Sequence, residues 1–130
     1  MHSDLIERNP ILKHSFELAL KVIAYCDLLQ EQKHFIISNQ LLKSGTSVGA
    51  NVMEAQNAES KADFVHKIKV AAKEAEETQY WLTLCKYANN YPPCDELLFK
   101  LNEIHKLLGK ILATAKRKNP FNYLLSFFIF

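Results

Sequence analysis

Residues 60–90 read SKADFVHKIKVAAKEAEETQYWLTLCKYANN, the most regular hydrophobic pattern in the chain. Apolar and small residues recur at alternating spacings of four and three, which places them on one face of an α-helix. Ser60 with Asp63 three residues later has the form of a capping box, and the Asn and Pro residues at 89–93 end the helix. The pattern predicts one helix of about 30 residues, roughly 45 Å long. Its face comprises Phe64, Ile68, Ala71, Ala75, Thr78, Leu82 and Cys85.

Three further segments carry a helical pattern. Asn9-Pro10 predicts a helix start, because asparagine caps helices and proline suits the first helical position. The four expected helices cover about residues 9–32, 35–58, 60–90 and 95–118. Their remaining apolar faces comprise Leu12, Phe16, Ala19, Ile23 and Cys26 in the first helix, Ile37, Leu41, Val48, Val52 and Ala55 in the second, and Leu97, Leu101, Ile104, Leu108, Ile111 and Ala115 in the fourth.

The scarcity of turn residues indicates an all-α fold, since the chain of 130 residues has only 3 Gly and 4 Pro. The short connections favour antiparallel neighbours, so we expect a single-domain, up-down-up-down four-helix bundle over residues 1–120. Residues 121–130, FNYLLSFFIF, form an apolar aromatic tail. Ten residues are too few for a membrane-spanning helix, which needs about 20. We expect the tail to dock on its own or a neighbouring subunit; membrane contact and an accidental extension of the reading frame are the alternatives.

The stretch KSGTSVGANVMEAQ at residues 43–56 places two glycines one helical turn apart. It lacks the spacing and the lysine of a phosphate-binding loop. Glycine destabilises a helix interior, so close approach by another backbone is expected here, either inside the bundle or from a neighbouring subunit or ligand. The candidate close-packing and interface residues are Gly45, Ser47, Gly49, Ala50, Asn51 and Glu54. A polar network linking helices, or a functional pocket, is expected at Glu74, Glu77, Tyr80 and Trp81.

The charge balance excludes a polycation, since 16 basic and 14 acidic residues give a net charge of +2. Basic residues nevertheless gather on the third and fourth expected helices, where they form either a phosphate-binding surface or ordinary solvated helix faces. The candidate nucleic-acid ligands are Lys61, Lys67, Lys69, Lys73, Lys106, Lys110, Lys116, Arg117 and Lys118.

The residues offer no catalytic, cofactor or metal site. A di-iron bundle needs two Glu-x-x-His motifs, and only Glu31 and His34 form one. The 3 cysteines form no C-x-x-C pair, which fits a reducing cytoplasm, and Met1–Pro10 does not have the pattern of a signal peptide. We therefore expect a non-enzymatic, cytoplasmic protein without a transmembrane segment.

Residues 43–56 and 60–82 together resemble the bacterial four helix bundle protein family, first described from proteins encoded in intervening sequences of large-subunit ribosomal RNA genes. They are also similar to the accessory variability protein of diversity-generating retroelements. The resemblance covers about residues 9–118. It implies an antiparallel four-helix bundle that assembles as a ring-like homopentamer, with no catalytic residues and no cofactor. In the retroelement relatives the bundle has a basic surface and associates with a reverse transcriptase and nucleic acid.

Two functional hypotheses follow. The first is a non-enzymatic homo-oligomer that binds RNA, or an RNA-handling protein such as a reverse transcriptase, through exposed lysines and arginines. The second is a structural or adaptor oligomer without a nucleic-acid role, whose apolar grooves or tail bind a protein partner. Under the second hypothesis, removing residues 121–130 should abolish partner capture in a pull-down.

Overall fold

The computed structural model describes residues 3–116, which form a single helical domain of five α-helices without a strand. All four expected helices are present within it, and a short helix precedes them. Arg117, Lys118 and the tail at residues 121–130 lie outside the described residues. The helices are α1 (Ser3–Arg8), α2 (Pro10–Glu31), α3 (Phe35–Ala55), α4 (Lys61–Tyr87) and α5 (Asp95–Ala115).

Helix α1 was not expected from the sequence, because six residues are too few for an apolar face to repeat. Its one buried side chain is Ile6, and the backbone N–H of Asn9 donates to the carbonyl of Leu5 at 3.0 Å. The turn that precedes α2 is therefore continuous with this short helix and covers the start of α2.

Both expected helix caps are present. The side-chain oxygen of Asn9 accepts from the backbone N–H of Leu12 at 3.4 Å, and proline occupies the first turn of α2. At the start of α4, the hydroxyl of Ser60 accepts from the N–H of Asp63 at 3.0 Å. The Asp63 carboxylate accepts in return from the N–H of Glu59 at 3.1 Å, one residue before the position of a standard capping box.

Helices that follow one another in the chain pack side by side, and α5 also packs against α2. Among α2 to α5, contacts along each packed pair run in opposite order. Tyr25 of α2 donates to the carbonyl of Pro92, three residues before α5 begins, at 2.6 Å, and Glu17 of α2 lies 2.9 Å from Lys100 of α5. Contacts nearer the start of α2 thus lie further along α5, so the two helices run in opposite directions. We call the end where α2 and α4 begin and α3 and α5 end the proximal end, and the other the distal end.

The expected apolar faces of α4 and α5 are confirmed, since all seven residues of the first and all six of the second are buried. The expected face of α2 is confirmed only at Leu12 and Cys26, which are buried; it is wrong at Phe16 and Ile23, which are 39% and 43% exposed. The core takes Leu18 and Val22 instead. Helix α2 carries two apolar stripes, and periodicity does not reveal which one faces inward. The other stripe therefore remains on the surface.

The two glycines of α3 face α2 of the same chain. A Cβ atom built on Gly45 would lie 2.9 Å from both Cγ atoms of Val22, closer than side chains pack. A Cβ on Gly49 would lie 3.4 Å from the carbonyl oxygen of Ser15, which is ordinary contact. Within this chain, Gly45 is thus the position where α2 and α3 approach closely enough to require glycine.

A partly buried cation joins α2 to α5. The ammonium of Lys100 lies 2.9 Å from a Glu17 oxygen and 3.4 Å from His14 Nδ1, and its side chain is only 13% exposed. The hydrogen bond from Lys100 lowers the pKa of Glu17. The stabilisation by this pair is therefore present above the usual glutamate pKa and is lost as pH falls through the lowered one.

Glu17→Gln is expected to reduce the free energy of unfolding by about 0.5–1 kcal/mol at neutral pH, because the glutamate is partly exposed. The difference from wild type should disappear at acid pH below the lowered pKa of Glu17, where its carboxyl is protonated in both the folded and the unfolded chain. Urea denaturation at both pH values measures it. Glu103→Gln, at an exposed glutamate of the same region, should have no such effect. An equal loss at both pH values would contradict the ion-pair explanation.

Candidate nucleic-acid interface

Two lysine-bearing segments without any carboxylate meet at the proximal end. Residues 64–73 and residues 104–116 contain no Asp or Glu. The first segment opens α4 and the second closes α5, and these helices pack side by side. The contact of 3.9 Å between Glu76 and His105 joins the two helices at the border of this region. The fold therefore concentrates positive charge that the net charge of the chain conceals.

Most of the candidate lysines are open to solvent. Lys69 and Lys73 are exposed on α4. Lys106 and Lys110 on α5 are exposed too, and so is Lys116, which directly follows α5. Among the described residues, no carboxylate lies within ion-pair distance of Lys69. These five side chains can thus meet phosphate without first leaving a buried site.

The two other lysines of α4 are half-buried. Lys67 lies 3.3 Å from Glu54 on α3, so its charge is partly neutralised within the chain. Lys61 is also half-buried, at the first turn of α4. We call the outer faces of α4 and α5 at the proximal end the basic face. Its exposed lysines are Lys69, Lys73, Lys106, Lys110 and Lys116.

The polar candidates on α3 mostly bond to their own helix. The Ser47 hydroxyl donates to the carbonyl of Lys43 at 2.6 Å, and the Asn51 amide donates to the carbonyl of Ser47 at 2.8 Å. Glu54 reaches across to Lys67, while Ala50 is exposed. The sequence candidates on α3 are thus divided between the α2 side, where the glycines lie, and the α4 side.

The candidates Glu77 and Tyr80 of the expected polar network are exposed, and Glu74 and Trp81 are half-buried. Burial raises the pKa of Glu74, and the negative charge of Glu77 raises it further. The rings of Tyr80 and Trp81 meet edge to face, with centroids 5.2 Å apart. The Trp81 indole N–H is buried without a hydrogen-bond partner among the described residues.

The buried polar contact between α3 and α4 uses two residues outside that set. The Thr78 hydroxyl lies 3.0 Å from the Ser44 hydroxyl and 2.7 Å from the carbonyl of Glu74. Thr78 and Ser44 are both fully buried. Thr78 stands in the expected apolar face of α4, and a hydroxyl at such a position is the signal that predicts a buried polar partner.

The distal end holds all three cysteines as buried thiols. Cys26 donates to the carbonyl of Ser38 at 3.4 Å, and Cys94 donates to the carbonyl of Leu82 at 3.2 Å. Burial raises the pKa of Cys85 to about 11. Thiols in such surroundings react slowly, because the thiolate is the reactive species. No group of three His, Cys, Asp or Glu side chains within residues 3–116 has a metal-binding arrangement.

None of the helices in the described part of the chain is both long enough and apolar enough to cross a membrane.

Comparison with known families explains the sequence pattern. Residues 7–110 match the model of the 23S rRNA-intervening sequence protein family. The chain belongs to this family. A solved relative from Bacteroides thetaiotaomicron VPI-5482, described as a protein of unknown function from the S23 ribosomal protein family, is 41% identical. It aligns with a TM-score of 0.75 over 80% of this chain and 99% of its own. No curated protein matches significantly.

The family match ends before the tail. It stops at residue 110, and a fifth of this chain has no counterpart in the Bacteroides structure, which covers 80% of it. The lysines of α4 and both glycines of α3 lie inside the matched range, whereas Lys116 lies beyond it. The basic face thus combines positions from inside the family range with one outside it.

Proposed function

We propose that this intervening-sequence protein is a non-enzymatic, self-associating helical protein that binds RNA, or an RNA-handling protein such as a reverse transcriptase, through its basic face. The helices assemble in this proposal as an up-down-up-down four-helix bundle, and the subunits as a ring of five. The cyclic packing of α2 to α5 and their opposite directions support the bundle. The pentamer is what the resemblance described above implies.

The observation that carries the nucleic-acid proposal is the juxtaposition of the two carboxylate-free segments. A net charge of +2 alone does not attract a polyanion strongly. Four exposed lysines on two adjacent helices do so locally, since Lys69, Lys73, Lys106 and Lys110 all lie where no acidic residue interrupts the sequence. Arg117 and Lys118 follow in sequence directly after Lys116 and would add to this charge.

Self-association is supported by the surface stripe of α2. Phe16, Leu20 and Ile23 are 39%, 52% and 43% exposed, and they follow one another at helical spacing. Phe16 also lines a cavity of about 350 Å³ between α2 and α3, together with Gly49 and Met53. We propose that a second copy of the chain covers this apolar surface.

The buried thiols support the proposed cytoplasmic location, because unpaired cysteines persist in reducing compartments. The proposal assigns no catalytic residue, cofactor or metal to the chain.

Salt-dependent binding tests the proposed function. We expect the full chain to bind a single-stranded RNA with an affinity that falls steeply with salt, because lysines displace counterions from phosphates. Replacing Lys69, Lys73, Lys106 and Lys110 with glutamine should weaken binding about 100-fold at low salt. It should also reduce the slope of log affinity against log salt by about 0.7 for each phosphate that the protein no longer neutralises. Fluorescence anisotropy of a labelled oligonucleotide measures both quantities.

The matched control removes the same charge elsewhere. Lys13, Lys21, Lys33 and Lys43 lie outside the basic face, and their replacement with glutamine changes the net charge equally. The control variant should retain most of the affinity and slope. Equal losses in the two variants would mean that only the net charge matters. A wild-type chain that binds no nucleic acid would overturn the proposal.

A protein-binding adaptor is the second candidate function, favoured by exposed apolar residues at the distal end. Ile36 is 77% exposed and Phe35 is 50% exposed at the start of α3, and Leu84 on α4 is 39% exposed. Cavities of about 490 Å³ and 390 Å³ lie beside them, and Ile37 and Tyr91 line both. In this alternative the chain has no nucleic-acid role, so Ile36→Glu should abolish capture of the protein partner in a pull-down, whereas the lysine variant should capture it as the wild type does.

A further inference from the structure

Four exposed residues form a straight line along the outer face of α4. Lys69, Lys73, Tyr80 and Tyr87 are separated by four, seven and seven residues, so they stack along one side of the helix at close to whole turns. From Lys69 to Tyr87 the line is about 27 Å long at 1.5 Å per residue. The lysines occupy its proximal half and the tyrosines its distal half.

The two tyrosines of this line lie mostly in solvent. Tyr80 is 58% exposed and Tyr87 is 77% exposed. Within residues 3–116, neither hydroxyl has a protein hydrogen-bond partner. The half-buried Trp81 supports the Tyr80 ring edge to face, with centroids 5.2 Å apart. The Lys86 ammonium lies 5.9 Å from the centroid of the Tyr87 ring. That ammonium also lies 3.3 Å from the Asp95 carboxylate. Two aromatic rings are thus held at the surface, and the Tyr87 ring has a cation beside it.

We propose that this line is a track for single-stranded nucleic acid, in which phosphates meet Lys69 and Lys73 and unpaired bases stack on Tyr80 and Tyr87. The inference rests on the proposed function and specifies its substrate as a single strand. Aromatic side chains stack on bases of any sequence, but they need an exposed base face, which a duplex does not offer. Lysines beside such rings supply the phosphate contacts that single-strand binding proteins combine with stacking.

Two carboxylates determine which part of the strand lies where. Both Glu76 and Glu77 are exposed and lie between Lys73 and Tyr80, Glu76 in the line itself and Glu77 to one side of it. Glu76 lies 3.9 Å from His105, on the side of α4 that faces α5. Their negative charge disfavours phosphate in the middle of the line. Phosphate contacts therefore belong at the lysine half, whereas the uncharged faces of the bases suit the tyrosine half.

The single tryptophan of the chain provides a local reporter. Because Trp81 contacts Tyr80, a base that stacks on Tyr80 should change the Trp81 emission. We expect oligouridylate of about a dozen nucleotides, a length within the range of known single-strand sites, to change the emission on titration. A double-stranded RNA of the same length should leave the emission unchanged even if it binds the lysines.

Substitutions separate stacking from charge. Tyr80→Ala with Tyr87→Ala should weaken oligouridylate binding about 100-fold, or about tenfold per ring, without changing the salt slope. Lys69→Gln with Lys73→Gln should reduce the slope by about 1.4 instead. Replacing both tyrosines with phenylalanine should retain the affinity, because the ring stacks and the hydroxyl does not. Phe99→Ala, at a residue 68% exposed on α5, is the control for loss of a surface aromatic and should not weaken binding.

The outcomes distinguish this inference from the proposed function. If the wild-type chain binds single and double strands equally, or if the tyrosine variant binds as wild type while the lysine variant does not, the track is wrong and the basic face stands. If the wild-type chain binds neither RNA, both are wrong. A large loss in the alanine variant that the phenylalanine variant restores, with emission change for the single strand only, supports the track.

Discussion

Gly45→Leu is expected to lower the free energy of unfolding by about 3 kcal/mol, and the melting temperature by about 10 °C. The first added carbon would already lie 2.9 Å from Val22, whose Cβ is itself only 3.2 Å away. Val22 is fully buried and β-branched, so it has no free volume and few rotamers for relief. The helices α2 and α3 must then move apart. Urea denaturation followed by circular dichroism measures the loss.

Gly109→Leu is the matched control on α5. Nothing lies within 4 Å of a Cβ built at Gly109, and the residue is exposed inside a helix. Leucine is a better helix former than glycine, so this variant should be more stable by about 0.8 kcal/mol. The same substitution thus has opposite signs at the two positions. Similar losses at both would show that Gly45 is not a packing position.

The sequence predicts α4 and α5 well for a physical reason. Each carries a single apolar stripe, from Phe64 to Cys85 and from Leu97 to Ala115, and every member is buried. With one stripe there is only one way to bury apolar surface. The capping residues Asn9 and Ser60 were also predicted, because their side chains satisfy backbone groups of the first turn locally.

Hydrophobic periodicity is a poorer guide on α2, where it places the exposed residues Phe16 and Ile23 in the core. Two apolar stripes lie on that helix. Contacts with α3 determine which of them is buried, and the spacing of apolar residues within α2 carries no information about those contacts. Ser15 illustrates the difficulty: a fully buried serine interrupts the true core stripe and lowers its apparent hydrophobicity. The short α1 was missed because its burial rests on Ile6 alone.

At the candidate site, too, the sequence identifies individual residues, whereas their contacts depend on how the helices pack. The sequence shows the individual lysines but not their grouping, because Lys73 and Lys106 are far apart in sequence and lie on adjacent helices only through the packing of α4 against α5. The ion pair between Lys67 and Glu54 likewise depends on the neighbouring helix, α3. The pairing of Thr78 with Ser44 is tertiary for the same reason.

Leu20→Glu is expected to reduce the mass of the particle in solution from about five subunits to a monomer of 15.0 kDa. Leu20 is 52% exposed in the middle of the apolar stripe of α2 that we propose another copy covers. A carboxylate at that position would have to lose its hydration on assembly, at a cost of several kcal/mol. It would remain in water in the monomer, so folding itself should be unaffected. Light scattering after size exclusion measures the mass, and circular dichroism verifies the fold.

Leu28→Glu supplies the control on the same helix. Leu28 is 45% exposed, close to the value of Leu20, but it lies two turns further along and outside the stripe formed by Phe16, Leu20 and Ile23. Its replacement makes the same chemical change at a similarly exposed site and should leave the mass as in wild type. If both variants stay assembled, another face forms the interface. If both dissociate, the interface is not confined to the stripe. If the wild-type chain is already a monomer, the stripe is not a subunit contact, because only its burial between copies makes Leu20→Glu disruptive while Leu28→Glu is tolerated.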